Sequence, residues 1–257
     1  MTWFMGIDIG SGTSKGVITE NSSLSAQHLL PTGFNYLTAA ETLKTELLAK
    51  ADLRPEDITR TITTGHGEDI IPFSDDHIAD MRCCVKGINR IFPSARTVID
   101  VQGQSSQVIQ LDENGEVANF AISELCATGS GRFLEVIANV LQINIEDFGP
   151  LSIKSINPIT FTTGCAVFGE SEAISRVAEG VPKEDILAGV HGALASKISA
   201  LIDRVGTREP CAISGGGGLN IGLIKKFEEL GFQLLIPPQP LLVNALGAAL
   251  IAGESAV

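Results

Sequence analysis

The sequence predicts an α/β fold made of two related lobes, and three observations lead to this prediction. Apolar runs with strand character alternate along the chain with longer stretches of helical spacing, as in layered α/β proteins. An aspartate-led hairpin pattern occurs twice, about one domain length apart. Glycine is abundant, with 27 residues, while aromatic residues make up only 5% of the chain, which suits many tight turns between strands and loops.

The repeated pattern is an apolar run ending in aspartate, then a loop of small residues, then a second apolar run. Residues 6–15 read Gly-Ile-Asp-Ile-Gly-Ser-Gly-Thr-Ser-Lys, and residues 98–107 read Val-Ile-Asp-Val-Gln-Gly-Gln-Ser-Ser-Gln. Each copy predicts a β-hairpin. We therefore expect a first lobe at residues 1–94, with the C-terminal helix (241–257) packing back on it, and a second lobe at residues 95–240.

The stretches between the hairpins predict the remaining elements. Leucine spacing at positions 43, 47 and 48 predicts a helix over residues 39–53. Further strands are predicted at residues 57–64, 116–122 and 212–214. Further helices are predicted at residues 131–141, 168–178, 186–205, 220–230 and 241–252, the last rich in small residues that allow close packing.

Charge and composition exclude some function classes. A net charge of −12 disfavours nucleic acid and anionic membranes as partners, so any phosphate must be bound locally by backbone N–H groups and a metal ion. No signal-peptide pattern opens the sequence, and prolines interrupt the uncharged stretch at 232–253. We expect a cytoplasmic protein with reduced cysteines, which are Cys83, Cys84, Cys126, Cys165 and Cys211.

The first hairpin loop carries groups suited to the phosphate tail of a nucleotide. Asp8 stands at the strand end, where its carboxylate would serve a hydrated cation, and Gly10 and Gly12 allow backbone N–H groups to approach phosphate. The remaining polar residues of the loop are hydroxyl donors and one cation: Ser11, Thr13, Ser14 and Lys15. Taken alone, such a hairpin is more often only an ordinary turn.

Two further segments extend this interpretation. The second hairpin repeats the aspartate as Asp100, followed by Gly103 and Gln104, and two carboxylates would suit a magnesium ion held largely through water. Residues 214–220 read Ser-Gly-Gly-Gly-Gly-Leu-Asn, and the backbone at Gly215, Gly216 and Gly217 would lie flat against adenine or ribose. The alternative for this glycine segment is a mobile loop.

These loops and the small-residue C-terminal helix, in this order, resemble the acetate and sugar kinase, Hsp70 and actin superfamily. Residues 125–135 (Leu-Cys-Ala-Thr-Gly-Ser-Gly-Arg-Phe-Leu-Glu) and 161–172 (Phe-Thr-Thr-Gly-Cys-Ala-Val-Phe-Gly-Glu-Ser-Glu) resemble signatures of a narrower family. It comprises the 2-hydroxyacyl-CoA dehydratase activators and the ATP-binding benzoyl-CoA reductase subunits, the BadF/BadG/BcrA/BcrD-type ATPases. The resemblance covers nearly the whole chain and implies a two-lobed, actin-like (ribonuclease H-like) fold with the nucleotide in the interlobe cleft.

The resemblance implies that Cys126 and Cys165 ligate one [4Fe-4S] cluster shared by the two chains of a homodimer. Such clusters usually take four thiolates, so a chain offering two needs a symmetry mate. Both cysteines precede predicted helices, whose N-terminal N–H groups favour an anionic cluster. Without the flanking segments, two unrelated buried thiols would be the simpler interpretation.

The implied function is an ATP-dependent electron-transfer activator. It would use ATP/ADP and Mg²⁺, take an electron from reduced ferredoxin or flavodoxin, and pass it to an acyl-CoA dehydratase or aryl-CoA reductase. Asp8, Asp100 and Gln104 are the catalytic candidates, and the two aspartates also serve the magnesium ion. Three alternatives remain open: an ATP-binding subunit of a benzoyl-CoA reductase complex, a small-molecule kinase of the same superfamily, and a non-hydrolysing nucleotide-binding regulator.

The second hairpin departs from the family pattern, which typically reads Asp-Ile-Gly-Gly-Gln-Asp-Ser-Lys. Gln102, Ser105 and Gln107 replace a glycine, an acid and a lysine. We expect Gln102 to crowd the approach to phosphate, and Ser105 to remove a charge that would position Mg²⁺ or water. ATP binding is therefore expected from the loops, whereas ATP hydrolysis depends on what the altered hairpin supports.

Overall fold

The structure, a computed structural model, describes residues 2–123, 127–162 and 165–254. The chain divides into two units, Met1–Pro93 with Pro237–Val257, and Ser94–Ile236. Each unit contains one five-stranded sheet and its own hydrophobic core. The predicted α/β class is confirmed.

The sheet of the first unit begins with three antiparallel strands, β1 (Trp3–Ile9), β2 (Thr13–Glu20) and β3 (Ser23–Pro31). β4 (Ile58–Thr64) runs parallel to β1, and the two-residue β5 (Asp76–His77) runs parallel to β4. The strand order is β3-β2-β1-β4-β5. Nearly all of β1 is buried, as expected for a central strand covered on both faces.

Among the described residues of the first unit the α-helices are α1 (Tyr36–Ala51), α2 (Asp80–Ile91) and α8 (Val243–Glu254). α1 packs on β1, β2 and β3, whereas α8 packs on α2, β1 and β4. A Cβ atom at Gly247 would overlap the backbone of Cys83, and one at Gly6 would overlap the backbone of Ala245. Glycine at these positions therefore permits the close approach of α8 to α2 and β1.

The sheet of the second unit repeats this arrangement. β6 (Thr97–Val101), β7 (Ser106–Leu111) and β8 (Val117–Ile122) are antiparallel. β9 (Cys211–Gly215) runs parallel to β6, and β10 (Leu234–Leu235) runs parallel to β9. The strand order is β10-β9-β6-β7-β8. Taken from the β8 edge, it matches the order of the first sheet, with β6 in the place of β1 and β7 in the place of β2. The two predicted hairpins, β1–β2 and β6–β7, therefore hold equivalent places in their sheets.

The helices of the second unit are α3 (Gly131–Leu141), α4 (Ile145–Ser152), α5 (Ala166–Ala178), α6 (Lys183–Val205) and α7 (Ile221–Glu229). Phe133, Phe148 and Phe227 fill the core of the unit together with aliphatic residues of α6. By length and composition α6 could cross a membrane, but 67% of its apolar stretch is buried inside the protein. This burial is typical of a core helix.

Candidate functional site

The first hairpin pairs a buried carboxylate with a buried ammonium group. Asp8 and Lys15 are register partners on β1 and β2, and Lys15 Nζ lies 3.1 Å from Asp8 Oδ2. Only 8% of the Asp8 side chain and 11% of the Lys15 side chain are exposed. Burial raises the pKa of Asp8, and the attraction to Lys15 offsets this only in part. The pair therefore brings two opposite charges to the end of the strand with little contact to bulk water.

Two glycines make room for this pair. A Cβ atom at Gly10 would lie 2.8 Å from Lys15 Nζ, and one at Gly65 would lie 2.5 Å from Asp8 Oδ1. Gly65 directly follows β4 and has a φ of +91°, a conformation that L side chains rarely adopt. Gly10 is a site residue predicted from the sequence, whereas Gly65 is not.

Thr32 holds the first loop from the side, and no pattern in the sequence indicates this role. Its hydroxyl donates to the carbonyl of Gly10 at 2.7 Å, and its backbone N–H donates to the carbonyl of Gly12 at 3.0 Å. Ser14 is fully buried, and its hydroxyl lies 2.9 Å from the hydroxyl of Thr32. Three contacts thus fix the main chain of the loop and engage the hydroxyl of Ser14.

The second hairpin surrounds its aspartate with neutral donors. Gln107, the register partner of Asp100, donates from Nε2 to Asp100 Oδ2 at 2.9 Å. Gln102 Nε2 donates to the same oxygen at 2.6 Å, and the hydroxyl of Ser214 donates to Oδ1 at 2.8 Å. Asp100 is buried, so these bonds replace the water that would otherwise solvate it. Ser214 was not among the predicted site residues, because it lies 114 positions along the chain from Asp100.

The four-glycine segment forms an ordered turn against the end of β6. Gly215 has a φ of +70°, and a Cβ atom there would lie 2.9 Å from Asp100 Oδ1. A Cβ atom at Gly217 would lie 2.5 Å from the side chain of Val101. Residues Gly216–Leu219 form one 3₁₀ turn, and Asn220 then caps α7 by accepting from Gly222 N and Leu223 N. Glycine is therefore required at 215 and 217 by close packing against β6, and Gly216 is exposed whereas Gly217 is buried.

The loop of the second hairpin is also bonded to the start of α3. Gly131 N–H donates to the carbonyl of Gln102, and Arg132 N–H donates to the carbonyl of Gly103, both at 2.8 Å. Gln102 N–H closes the loop by donating to Ser105 O at 2.9 Å. Gly103 and Gln104 remain exposed at its tip.

The four cysteines within the described residues fall into two environments. Cys165 is exposed at the N-cap of α5, whereas Cys126 lies outside the described residues. Cys83, Cys84 and Cys211 are buried, and burial raises the pKa of the Cys211 thiol to about 12. A thiol with so high a pKa is a poor metal ligand, because the ligand form is the thiolate.

No role is predicted for the histidines from the sequence, and one of them is deeply buried. His191 on α6 packs edge-on against Phe148, with 5.0 Å between ring centroids. It lines a cavity of about 80 Å³ together with Gly222 and Ser152. Burial lowers the pKa of His191 to about 3, and the nearby positive charge of Lys226 acts in the same direction. The imidazole is therefore neutral at physiological pH.

Comparison with known proteins places these features in a family. Residues 5–252 match the model of the BadF/BadG/BcrA/BcrD ATPase family. The chain is 37% identical to the 2-hydroxyisocaproyl-CoA dehydratase activator of Clostridioides difficile, over 98% of this chain and 95% of that protein. It is 36% identical to the (R)-2-hydroxyglutaryl-CoA dehydratase activating ATPase of Acidaminococcus fermentans, over 98% and 97%, and 33% identical to a benzoyl-CoA reductase subunit of Thauera aromatica, over 89% and 83%.

Two solved structures of such relatives have the same fold. The Clostridium difficile activator with bound ADPNP superposes with a TM-score of 0.93, covering 99% of this chain and 96% of that one. Component A of the Acidaminococcus fermentans (R)-2-hydroxyglutaryl-CoA dehydratase superposes with a TM-score of 0.95, covering 100% and 99%. The fold is therefore that of the actin-like ATPases, and the chain belongs to the BadF/BadG/BcrA/BcrD ATPase family.

Proposed function

We propose that this protein is an ATP-dependent activator that passes one low-potential electron to a 2-hydroxyacyl-CoA dehydratase or a related CoA-ester reductase. The observation that carries the proposal is the pair of aspartate-led hairpins at equivalent places in two sheets of the same topology. Relatives that match nearly the whole chain are named as activators of such dehydratases, which favours the same role here.

The nucleotide would be bound by the loops predicted from the sequence. We assign the phosphates to the first hairpin loop and to Gly103, and the adenosine to the glycine turn at Gly215, Gly216 and Gly217. The contacts of Thr32 support the first assignment, because they hold the loop main chain in place before any ligand arrives. The phosphate-binding residues of the first loop are Gly10, Ser11, Gly12, Thr13, Ser14 and Lys15, with Ser14 acting through its backbone.

Asp8 and Asp100 would hold Mg²⁺ largely through its water shell, and the ion would neutralise charge on the phosphates. The fit is supported at Asp8 by Thr64, its register partner on β4, whose hydroxyl is buried without a hydrogen-bond partner among the described residues. Because register partners project from the same face of a sheet, an unsatisfied hydroxyl beside the carboxylate suits a water-bound cation.

ATP hydrolysis joins a water oxygen to the γ-phosphorus and breaks its bond to the β–γ bridging oxygen, giving ADP and inorganic phosphate. The protein contributes mainly position and charge to this reaction. We assign Asp8 to the phosphate and cation side of the site. Gln104, exposed at the tip of the second loop, would orient the attacking water through its amide, and Asp100 would accept hydrogen bonds from water.

A [4Fe-4S] cluster would supply one-electron redox chemistry, held by Cys126 and Cys165 from each of two chains. The described ligand fits this role, since Cys165 is exposed and precedes the first turn of α5, where free N–H groups favour negative charge. Two apolar side chains in the first turn of α5 are exposed: Val167 is 70% exposed and Phe168 is 66% exposed. Such residues favour burial against a second copy of the chain.

The electron would come from reduced ferredoxin or flavodoxin, and we expect the exchange to take place in the cytoplasm. For ATP hydrolysis to drive the electron transfer, ATP and ADP must favour different conformers of the protein. A nucleotide that binds two conformers with equal affinity does not change their populations. An ATP-binding subunit of a benzoyl-CoA reductase complex would use the same chemistry. Purification as a homodimer without tightly bound partner subunits would exclude that alternative.

The test is anaerobic reconstitution with iron and sulfide, followed by iron counting and a phosphate-release assay. We expect about two irons per chain, because four irons are shared by two chains, together with slow release of phosphate from ATP. Cys126→Ser and Cys165→Ser should each abolish cluster formation and weaken dimerisation.

Buried Cys84→Ser serves as the matched control and should retain the cluster, since its thiol lies inside the first unit. A small-molecule kinase would bind no iron. An unmodified protein that never takes up iron, or a Cys126→Ser/Cys165→Ser double variant that still does, contradicts the cluster assignment.

A further inference from the structure

The two hairpins of this chain provide an internal comparison of how a strand-end aspartate is held. Each aspartate faces a register partner seven positions later, Lys15 for Asp8 and Gln107 for Asp100. In the first hairpin the partner is a cation, whereas in the second it is a neutral amide. Asp100 is thus hydrogen-bonded where Asp8 is ion-paired.

Gln102 adds a second difference. It occupies the position of Gly10, and its amide lies 2.6 Å from Asp100 Oδ2, the oxygen that Gln107 also contacts. Gln107 is buried on β7, while Gln102 is partly exposed at the start of the loop. Of the two side chains, that of Gln102 is therefore the one that can turn away from Asp100 toward solvent.

The competition at Oδ2 has a chemical consequence. An ionised carboxylate oxygen can accept about two hydrogen bonds. Asp100 Oδ2 already accepts two, from the side-chain amides of Gln102 and Gln107. Magnesium keeps most of its water ligands in phosphate sites, and each such water needs an acceptor for its hydrogens. An amide on Oδ2 and a metal-bound water compete for the same acceptor.

We propose that Gln102 is a positioning residue that occupies Asp100 and so slows ATP hydrolysis, while leaving nucleotide binding intact. The inference rests on the proposed function, because it requires magnesium nucleotide at these loops. It differs from a loss of the site, since Asp100 remains in place and becomes available when the Gln102 side chain turns away. Gln102 thereby sets how long a bound ATP persists.

The opposite role is also testable. If Gln102 instead turned its amide toward a phosphate oxygen, it would contribute to nucleotide affinity, and its removal would weaken binding. The 2.6 Å bond to Asp100 favours the first role, because breaking a bond to a buried carboxylate opposes that turn.

The experiment compares Gln102→Ala and Gln102→Met with the unmodified full-length chain, purified anaerobically. Gln102→Met keeps the length of the side chain but removes the N–H donor, so it separates hydrogen bonding from space. Gln110→Ala is the matched control, since Gln110 lies on β7 and donates to the backbone carbonyl of Gly206, away from Asp100.

Three quantities are measured: ADP affinity by calorimetry without metal, Mn²⁺ affinity in the presence of ADP by electron paramagnetic resonance, and the rate constant of ATP hydrolysis. Removing one hydrogen bond to a charged group corresponds to about a tenfold effect. Both Gln102 variants should raise Mn²⁺ affinity and the hydrolysis rate by about tenfold or more, with unchanged ADP affinity. Gln110→Ala should change none of the three.

The outcomes separate this role from the proposed function on which it rests. An unmodified chain that binds no ADP contradicts the proposed function itself. If ADP binds, but the Gln102 variants leave Mn²⁺ affinity unchanged or weaken ADP binding, the role of Gln102 is wrong. A Gln102→Met variant that behaves like the unmodified chain while Gln102→Ala is faster also overturns it, because space rather than amide donation would then be the cause.

Discussion

Asp8 and Asp100 lie at equivalent positions in their two hairpins, but different protein groups stabilise their carboxylates. Asp8 depends on one cation, and burial raises its pKa, whereas Asp100 accepts from Gln102, Gln107 and Ser214. We expect both to act on the metal and water side of the nucleotide, leaving the adenosine contacts to the glycine turn.

Replacing either aspartate should therefore separate catalysis from binding. Asp8→Ala and Asp100→Ala should each lower the rate of ATP hydrolysis about 100-fold or more, a size typical of losing one preorganised electrostatic group. ADP affinity without metal, measured by calorimetry, should fall much less. Equal losses of hydrolysis and metal-free ADP affinity would show that the aspartates act in ground-state binding only.

His191 gives a residue-level prediction about stability. Its pKa is about 3 in the folded chain and about 6.5 when unfolded, so the unfolded chain binds a proton between these values that the folded chain does not. Its contribution to stability is complete above pH 6.5 and is lost as the pH falls toward 3. His191 should lower the free energy of unfolding by about 2 kcal/mol between pH 7.5 and pH 5.

Urea unfolding of the unmodified chain and of His191→Leu at both pH values measures this contribution. The difference between their pH slopes isolates the imidazole from the carboxylates that titrate in the same range. Parallel slopes would mean that the imidazole can be protonated inside the folded chain.

At the scale of single elements, the β1–β2 loop depends on a residue from the end of β3. Thr32→Val keeps the shape of the side chain but leaves Gly10 O and the Ser14 hydroxyl without their partner. We expect a loss of about 1–3 kcal/mol in the free energy of unfolding, typical of unsatisfied buried groups, and a weaker affinity for ADP.

Thr19→Val is the matched control on β2. The hydroxyl of Thr19 is buried without a hydrogen-bond partner in the described part of the chain, so its removal should be neutral or stabilising. Thermal unfolding and ADP calorimetry on both variants test the comparison. The prediction fails if Thr32→Val binds ADP as tightly as the unmodified chain.

Some elements were predictable from the sequence and others were not. The predicted helix over 131–141 agrees with α3, and the predicted strand at 57–64 agrees with β4 within one residue. β3, α2 and α4 were not predicted. β3 is a largely polar edge strand, the buried face of α2 consists mainly of cysteines, Gly87 and Ile88, and α4 contains Pro150.

At the scale of the whole molecule, the duplicated hairpin was the most informative feature of the sequence. It indicated two related sheets, and the two sheets have matching strand orders. The aspartates and glycines could be predicted because their types and spacing follow from strand-to-loop chemistry. Thr32 and Gly65 could not, because each reaches the site through tertiary packing and has no local pattern. Ser214 opens the glycine segment, but its bond to Asp100 also depends on tertiary packing.

Two hydrogen bonds couple the position of the second hairpin loop to that of the start of α3. The carbonyls of Gln102 and Gly103 accept hydrogen bonds from the consecutive N–H groups of Gly131 and Arg132. Two adjacent bonds resist rotation of the loop relative to the helix, whereas a single bond would allow it. Any displacement of the loop must carry the helix start with it or break both bonds, at a cost of about 1–3 kcal/mol. Cys126 stands five residues before Gly131 in the chain, so at most about 18 Å of extended chain can separate this cysteine from the bonded helix start.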